Sequence, residues 1–341
     1  MNSTIKEVAK LAGVSTATVS RVINNQDHVS NTTQQKVNSA IKELGYMPNL
    51  VAMSLSKQKT QTIGMIVPDV CNSFYSEVFY AASKVAEQYN YRLILFNSDD
   101  SVSKETTALQ DIISFQMSGL IFTPVSDEDN SNEELIKKMQ ESGVSVVFLD
   151  REMKGVSCDG VYIDNMRGAY DATEILLREG HREIAVIAGQ QDTITGRERL
   201  TGHINAMQDW NVTYNPKLTV IGDFRADKSY LATLELLNSK NPPTAFFTCN
   251  NLMTLGCLRA INETNKRIPQ DVAIVGFDKI ELLDFLGYKI SVLARATTEM
   301  GTIGMNLLLD RMKKDDNNSF QRIILQSKLE VYGSEKYMID Q

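Results

Sequence analysis

The chain has 341 residues, 43% of them hydrophobic and 23% charged, with a net charge of −7 and four cysteines. No stretch approaches the roughly 18 consecutive apolar residues of a membrane span, and the polar N-terminus lacks an apolar signal core, so a cytoplasmic protein is expected. Cys71, Cys158, Cys249 and Cys257 show no CxxC spacing and read as free, mostly buried thiols. With only His28, His181 and His203, and no HExxH, GxGxxG, P-loop or GxSxG, neither catalysis nor a metal or cofactor is expected.

Residues 4–24, TIKEVAKLAGVSTATVSRVIN, read as two short helices joined by a tight turn. Thr4 and Glu7 have the spacing of a capping box. Val8, Leu11 and Ala12 recur as an inward face, and Gly13 supplies the turn. Ser15 caps a second helix in which Val19, Val22 and Ile23 point inward, leaving Thr16, Ala17, Ser20 and Arg21 outward. Small polar side chains on an outer face can approach base edges closely, as a helix-turn-helix does in the major groove. The alternative is a generic amphipathic subdomain. A third helix starts at Ser30 and Asn31, buries Val37, Ile41 and Leu44, and stops at Gly45 and Pro48.

Residues 1–60 hold seven basic and three acidic residues, a net of +4, which leaves −11 for residues 61–341. A basic head on an acidic body confines attraction for phosphate to one end. After Pro48, the run 49–55 is too short for a helix of its own in water, below the roughly 12–15 residues needed. It is expected to be a hinge that orders on DNA, with Leu50, Val51 and Leu55 free to wedge between base steps. The alternative is a linker whose leucines pack on the next domain.

Beyond the hinge, apolar runs alternate with helical patterns. Strands are expected at 63–68, 92–96, 119–123 and 145–149, with helices near 74–90, 104–117 and 132–142. A second set follows, with strands at 184–188, 218–221, 244–248 and 272–276 and helices near 197–210, 226–239 and 251–264. Such alternation predicts an α/β body of two doubly wound lobes, with a ligand cleft at the carboxyl ends of the strands.

The 4–24 pattern resembles the opening of the LacI/GalR family of bacterial transcription regulators. Also similar are Gly45-Tyr46-Met47-Pro48-Asn49, Ala52, Leu55 and Thr62-Ile63-Gly64. The resemblance implies a DNA-binding domain over 1–48, a hinge over 49–61 and an effector core over 62–341 similar to periplasmic sugar-binding proteins. Its first lobe is expected at about 62–160 plus 292–322, its second at about 161–291 plus 323–335. Thr16 and Ala17 would meet bases, Ser20, Arg21, Asn24 and His28 would lie near phosphates or bases, and Leu55 would be the minor-groove wedge. Asp27 is awkward beside a DNA backbone.

For the effector, the resemblance points to Arg197 in Gly196-Arg197-Glu198-Arg199-Leu200, to Phe224 as an aromatic platform, to Phe74, and to Asp150 at a strand end. Phe74 and Tyr75 could equally pack under the first core helix, and Asp150 could cap a loop. Two positions depart from the family pattern. Asn251 stands where the family has a ligand-facing aspartate, and Arg295 where it commonly has glutamine. With Arg151 and Arg225 nearby, these departures point to an anionic effector, a sugar acid or sugar phosphate. The alternative is that Arg151, Arg225 and Arg295 form lobe-to-lobe ion pairs around a neutral sugar.

The function expected is a repressor of a carbohydrate-utilisation operon, switched by a small sugar-like effector. It is expected to bind a near-palindromic double-stranded operator as a homodimer, the tail lacking the leucine heptads of tetramers. The runner-up is a catabolite-control type of regulator docked by a phosphocarrier protein. A solute-binding protein fits neither the DNA head nor the missing signal segment.

Overall fold

Thr4 opens the first helix as the spacing predicts. Its backbone N–H donates to Glu7 Oε2 at 2.6 Å, and its hydroxyl accepts from the Glu7 N–H at 3.4 Å. The computed structural model describes residues 3–23, 29–46, 60–313 and 319–337, in two compact units, Met1–Thr60 and Gln61–Gln341. In the first unit, helices α1 (Ile5–Ala12), α2 (Thr16–Ile23) and α3 (Asn31–Leu44) enclose Val8, Ala9, Ala12, Val19, Val22, Val37 and Ala40. Gly13 holds the turn at φ +69°, a left-handed conformation that glycine adopts without a steric penalty. Leu11, expected inward, is exposed at 46%. The small Ala9 takes its place in the core, so the buried stripe runs through 8, 9 and 12.

The second unit contains two six-stranded sheets. The first lobe is built from β1 (Thr62–Val67), α4 (Ser73–Gln88), β2 (Arg92–Asn97), α5 (Val102–Ser114), β3 (Gly119–Phe122), α6 (Glu133–Glu141), β4 (Ser145–Leu149) and β5 (Asp159–Ile163). The second lobe holds α7 (Asn165–Arg178), β6 (Ile184–Ala188), α8 (Ile194–Asp209), β7 (Thr219–Ile221), α9 (Ala226–Leu237), β8 (Ala245–Thr248), α10 (Asn251–Glu263), β9 (Ala273–Phe277), α11 (Glu281–Phe285) and β10 (Ser291–Ala294). The chain then returns to the first lobe as α12 (Thr297–Lys313) and β11 (Arg322–Leu325), and ends in the second with β12 (Lys328–Glu330). Strand orders are β11-β5-β4-β3-β1-β2 and β12-β10-β9-β8-β6-β7. All pairs are parallel except β10 with β12. Parallel sheets need both faces covered, and the first sheet has a separate apolar cluster on each face.

Three crossovers therefore fall at 163–165, 294–297 and 325–328. The boundaries expected from sequence, 160/161, 291/292 and 322/323, each lie about three residues early and would cut a paired strand. β5 and β11 pair with each other and belong to the first lobe, whereas β10 pairs with β9 in the second. A chain can leave a sheet only where its ladder of backbone hydrogen bonds ends.

Candidate functional site

On the first unit, Thr16, Ala17 and Arg21 are exposed on one face of α2, and Ser20 is half-buried beside them. Ser15 caps this helix, accepting from the Thr18 N–H at 3.1 Å. Val19 and Val22 are spent on the core, so the helix offers the solvent only short side chains and one guanidinium. Asn24, Asp27, His28, Leu55 and nearly all of the expected hinge lie outside the described residues.

In the second unit, a cleft lies between the lobes at the carboxyl ends of the strands, where doubly wound sheets place ligands. Among the described residues, ten that are not glycine have positive φ, and they fall into two groups. Asn90, Gln116, Asn211 and Asn265 each follow a helix by two residues. Asp99, Asp100, Asp150, Asp223, Phe224 and Asp278 follow the ends of β2, β4, β7 and β9. Left-handed backbone at bulky or β-region positions costs free energy and gathers at functional sites. Of the second group, Asp100, Asp150 and Phe224 line the cleft pocket, and Asp278 meets Arg295 beside it.

Arg295 sits in the second crossover and bridges both lobes. Its Nε and Nη2 donate to the two carboxylate oxygens of Asp278, the latter at 2.7 Å, and its Nη1 donates to Asp150 Oδ1 at 3.0 Å. The guanidinium lies 3.4 Å above the Phe74 ring and 5.8 Å from the Phe277 ring. Burial works against its charge, yet Asp278 and Asp150 outweigh that and raise its pKa above the ordinary arginine value. A buried ion pair is favourable only with such complete partnering.

Beside it, open to solvent, lies a pocket lined by Asp69, Asn72, Asp100, Asp150, Arg151, Thr195, Arg199, Phe224, Asn250 and Arg295. Phe224 lies against Gly189, where a Cβ would come within 2.0 Å of the ring. Arg199 donates to Asn165 Oδ1 at 2.9 Å and to the Cys249 carbonyl at 2.6 Å, and stacks 3.9 Å above Phe277. Burial, reinforced by Arg295, lowers its pKa to about 10. Arg151 donates to the Val125 carbonyl at 2.9 Å, while its buried Nε has no hydrogen-bond partner. Asn250 caps α10 through the Met253 N–H at 2.7 Å and donates to the Phe224 carbonyl at 3.1 Å.

Comparison with known proteins agrees with both units. Residues 4–49 match the family model described as bacterial regulatory proteins, lacI family, and residues 173–334 match a periplasmic binding protein-like domain. The chain is 33% identical to the HTH-type transcriptional regulator RegA of Clostridium saccharobutylicum, over 93% of this chain and 94% of that one. It is likewise 33% identical to Catabolite control protein A of Priestia megaterium, over 94% and 95%. The chain belongs to the lacI family of bacterial regulatory proteins. Among solved structures, the lac repressor dimer bound to operator and an anti-inducer matches at a TM-score of 0.83 and 26% identity, covering 99% of this chain and all of that one. The transcriptional regulator CelR in complex with cellobiose matches at 0.72 and 31%, covering 98% and 100%. These relatives are transcription regulators rather than enzymes. The two histidines among the described residues suit that assignment, since His181 and His203 are buried and hydrogen-bonded to Thr244 and Thr173, away from the cleft lining.

Within this lacI-family core, the cleft brings together Asp150, Phe224 and Arg295 but not the other three residues expected there. Arg197 points to the rim, where it pairs with Asp127 at 2.6 Å and Glu128 at 3.2 Å. The arginine of α8 that lines the pocket is Arg199. Helical geometry explains the correction, because residues two apart lie on nearly opposite faces while Thr195 and Arg199, four apart, share one. Phe74 is 2% exposed and supports Arg295 from below rather than lining the pocket. Asn251 turns to the first lobe and donates at 2.9 Å to both Asn72 Oδ1 and Ser73 Oγ, leaving the lining to Asn250.

The inventory of free cations also changes. Arg295 is matched by two aspartates, and Arg225 crosses the cleft to Asp100 at 3.2 Å and Asp99 at 3.8 Å. Asp278, Asp100 and Asp69 were missed from sequence because no short motif marks them. A signal existed in Asp278, since it directly follows an apolar strand, as Asp150 does.

Proposed function

We propose that this regulator is a repressor of carbohydrate genes whose cleft takes a neutral, polyhydroxylated sugar. The observation that supports this best is charge balance, because three aspartates face three arginines in the pocket lining. An anion would find no net positive field there, and the buried cation Arg295 is already neutralised. Phe224 offers a flat apolar face for C–H surface, and Asn250, Arg199 and the aspartates supply hydroxyl partners. The sugar-acid reading keeps one observation in its favour, the unpartnered Nε of Arg151.

In the same reading, residues 1–48 hold the operator in the cytoplasm, with Thr16 and Ala17 at base edges and Ser20, Arg21, Asn24 and His28 near the backbone. The hinge over 49–61 places Leu55 in the minor groove. A homodimer on a near-palindromic site is supported by the lac repressor dimer of the same fold, and by the exposed apolar group Leu282, Phe285, Leu286 and Tyr288, which offers a pairing face. Effector binding shifts the balance between two lobe arrangements and so the spacing of the hinges.

A thermal-shift series of matched neutral sugars, sugar acids and sugar phosphates tests the effector class. A tight effector at a hundredfold excess over its Kd stabilises by about 2.7 kcal/mol. Stabilisation by a neutral sugar and not by its acid is expected. Stabilisation by the acid or phosphate alone would reinstate an anionic effector docked at Arg151.

A further inference from the structure

We propose that Arg295 is a built-in occupant of the cleft, a tethered group that holds the two lobes together before any effector enters. Its position is the first ground. It lies between β10 and α12, in a segment that passes from one lobe to the other. From there the guanidinium takes a carboxylate from each side, Asp278 of the second lobe and Asp150 of the first, and an aromatic face from each side, Phe277 and Phe74. A flat polar group held by carboxylates at its edge and rings on its faces is bound as a small ligand would be.

Burial is the second ground. The side chains of Arg295, Asp150 and Asp278 are 3%, 4% and 5% exposed, so solvent and salt screen the bridge little. The charged contacts at the rim differ. Arg197 and Arg225 are 33% and 37% exposed, the regime in which an ion pair contributes little. The geometry of the carboxylates is the third ground. Asp150 and Asp278 both hold left-handed backbone, at φ +62° and +75°, and that conformation converges them on one point from opposite lobes. The guanidinium fills it.

The inference concerns the same cleft as the sugar reading above, but its test contains no sugar, so failure of one leaves the other standing. Spin labels at the exposed positions Thr107→Cys on α5 of the first lobe and Leu231→Cys on α9 of the second, in a Cys71→Ser background, report the distance between the lobes by double electron–electron resonance. Labelled protein is diluted with unlabelled protein to isolate the intramolecular distance. Without ligand, a single narrow distance is expected. Asp150→Asn keeps the Arg295–Asp278 pair and the fold, breaks the bridge to the first lobe, and should add a longer population. Arg295→Gln should do the same, and if that variant does not fold, Asp150→Asn decides. Arg225→Gln, which removes only a rim pair, should leave the distance unchanged. An unchanged distance in Asp150→Asn, or equal lengthening in Arg225→Gln, overturns the proposal.

Discussion

The three-helix head and the cleft of the core handle polar surface in opposite ways. On the head, Thr16, Ala17 and Arg21 stand in solvent, and the N-cap side chains of Thr4, Ser15 and Ser30 each bond three residues along the chain. In the cleft, the polar groups that matter are buried, and their partners come from 145 residues away for Asp150 and 179 for Asn72 with Asn251. An exposed face is set by helical period and a few caps, so it tolerates change and responds to salt. A buried charge cluster depends on every member at once, because removing one partner leaves another charge uncompensated.

Salt should separate the two regions most. If the head tracks about 6–10 phosphates per dimer, operator affinity falls by about 10³–10⁵ between 50 and 200 mM salt, while the bridge in the core is nearly indifferent to it. Operator titration over that range checks this, and a flat response would remove phosphate tracking from the head. Next in size, Arg295→Gln should destabilise the core by about 3–5 kcal/mol, because Asp150 and Asp278 are left facing each other. The rim variant Arg225→Gln should change it by only about 0–1 kcal/mol. Urea denaturation of both variants sets buried against exposed charge directly.

Acid should affect the core through His203. Burial holds its pKa down to about 4 from 6.5, so the unfolded chain binds a proton in that interval and the folded chain does not. This contribution is present in full above pH 6.5 and is lost as pH falls toward 4, amounting to about 3 kcal/mol. Buried carboxylates such as Glu105, whose pKa burial raises, act in the opposite direction. The difference between the parent and His203→Gln across pH 7 to 4 therefore isolates the histidine. A parallel decline in both would count against a neutral buried imidazole. A small effect confined to the head is expected from Thr4→Ala, which removes a capping box and should cost about 1 kcal/mol. Hydrogen exchange in α1 reads it, and no amide of the core should respond.

Much of the architecture is legible in the residue pattern alone. Each strand expected from an apolar run is present within one residue at either end, and each expected core helix within three, because a buried parallel strand and an amphipathic helix write their period into the chain. Of the elements that the pattern does not single out, β5, α7, β10, α12, β11 and β12 border crossovers. Their assignment to a lobe depends on which sheet edge they join.

The family is legible too, since Thr4, Glu7, Gly13 and Ser15 act through local bonds that spacing alone fixes. The cleft is readable only in part. Sequence marks Asp150, Phe224 and Arg295 as residues at strand ends and a crossover, and it marks Arg197 and Asn251 where Arg199 and Asn250 line the pocket. Choosing between neighbours on a helix needs the direction of each side chain. Only the tertiary structure decides the charge state of the cleft, because whether Arg295 is free for a ligand depends on Asp150 and Asp278. Those aspartates approach it from two different lobes, and no local pattern encodes that meeting.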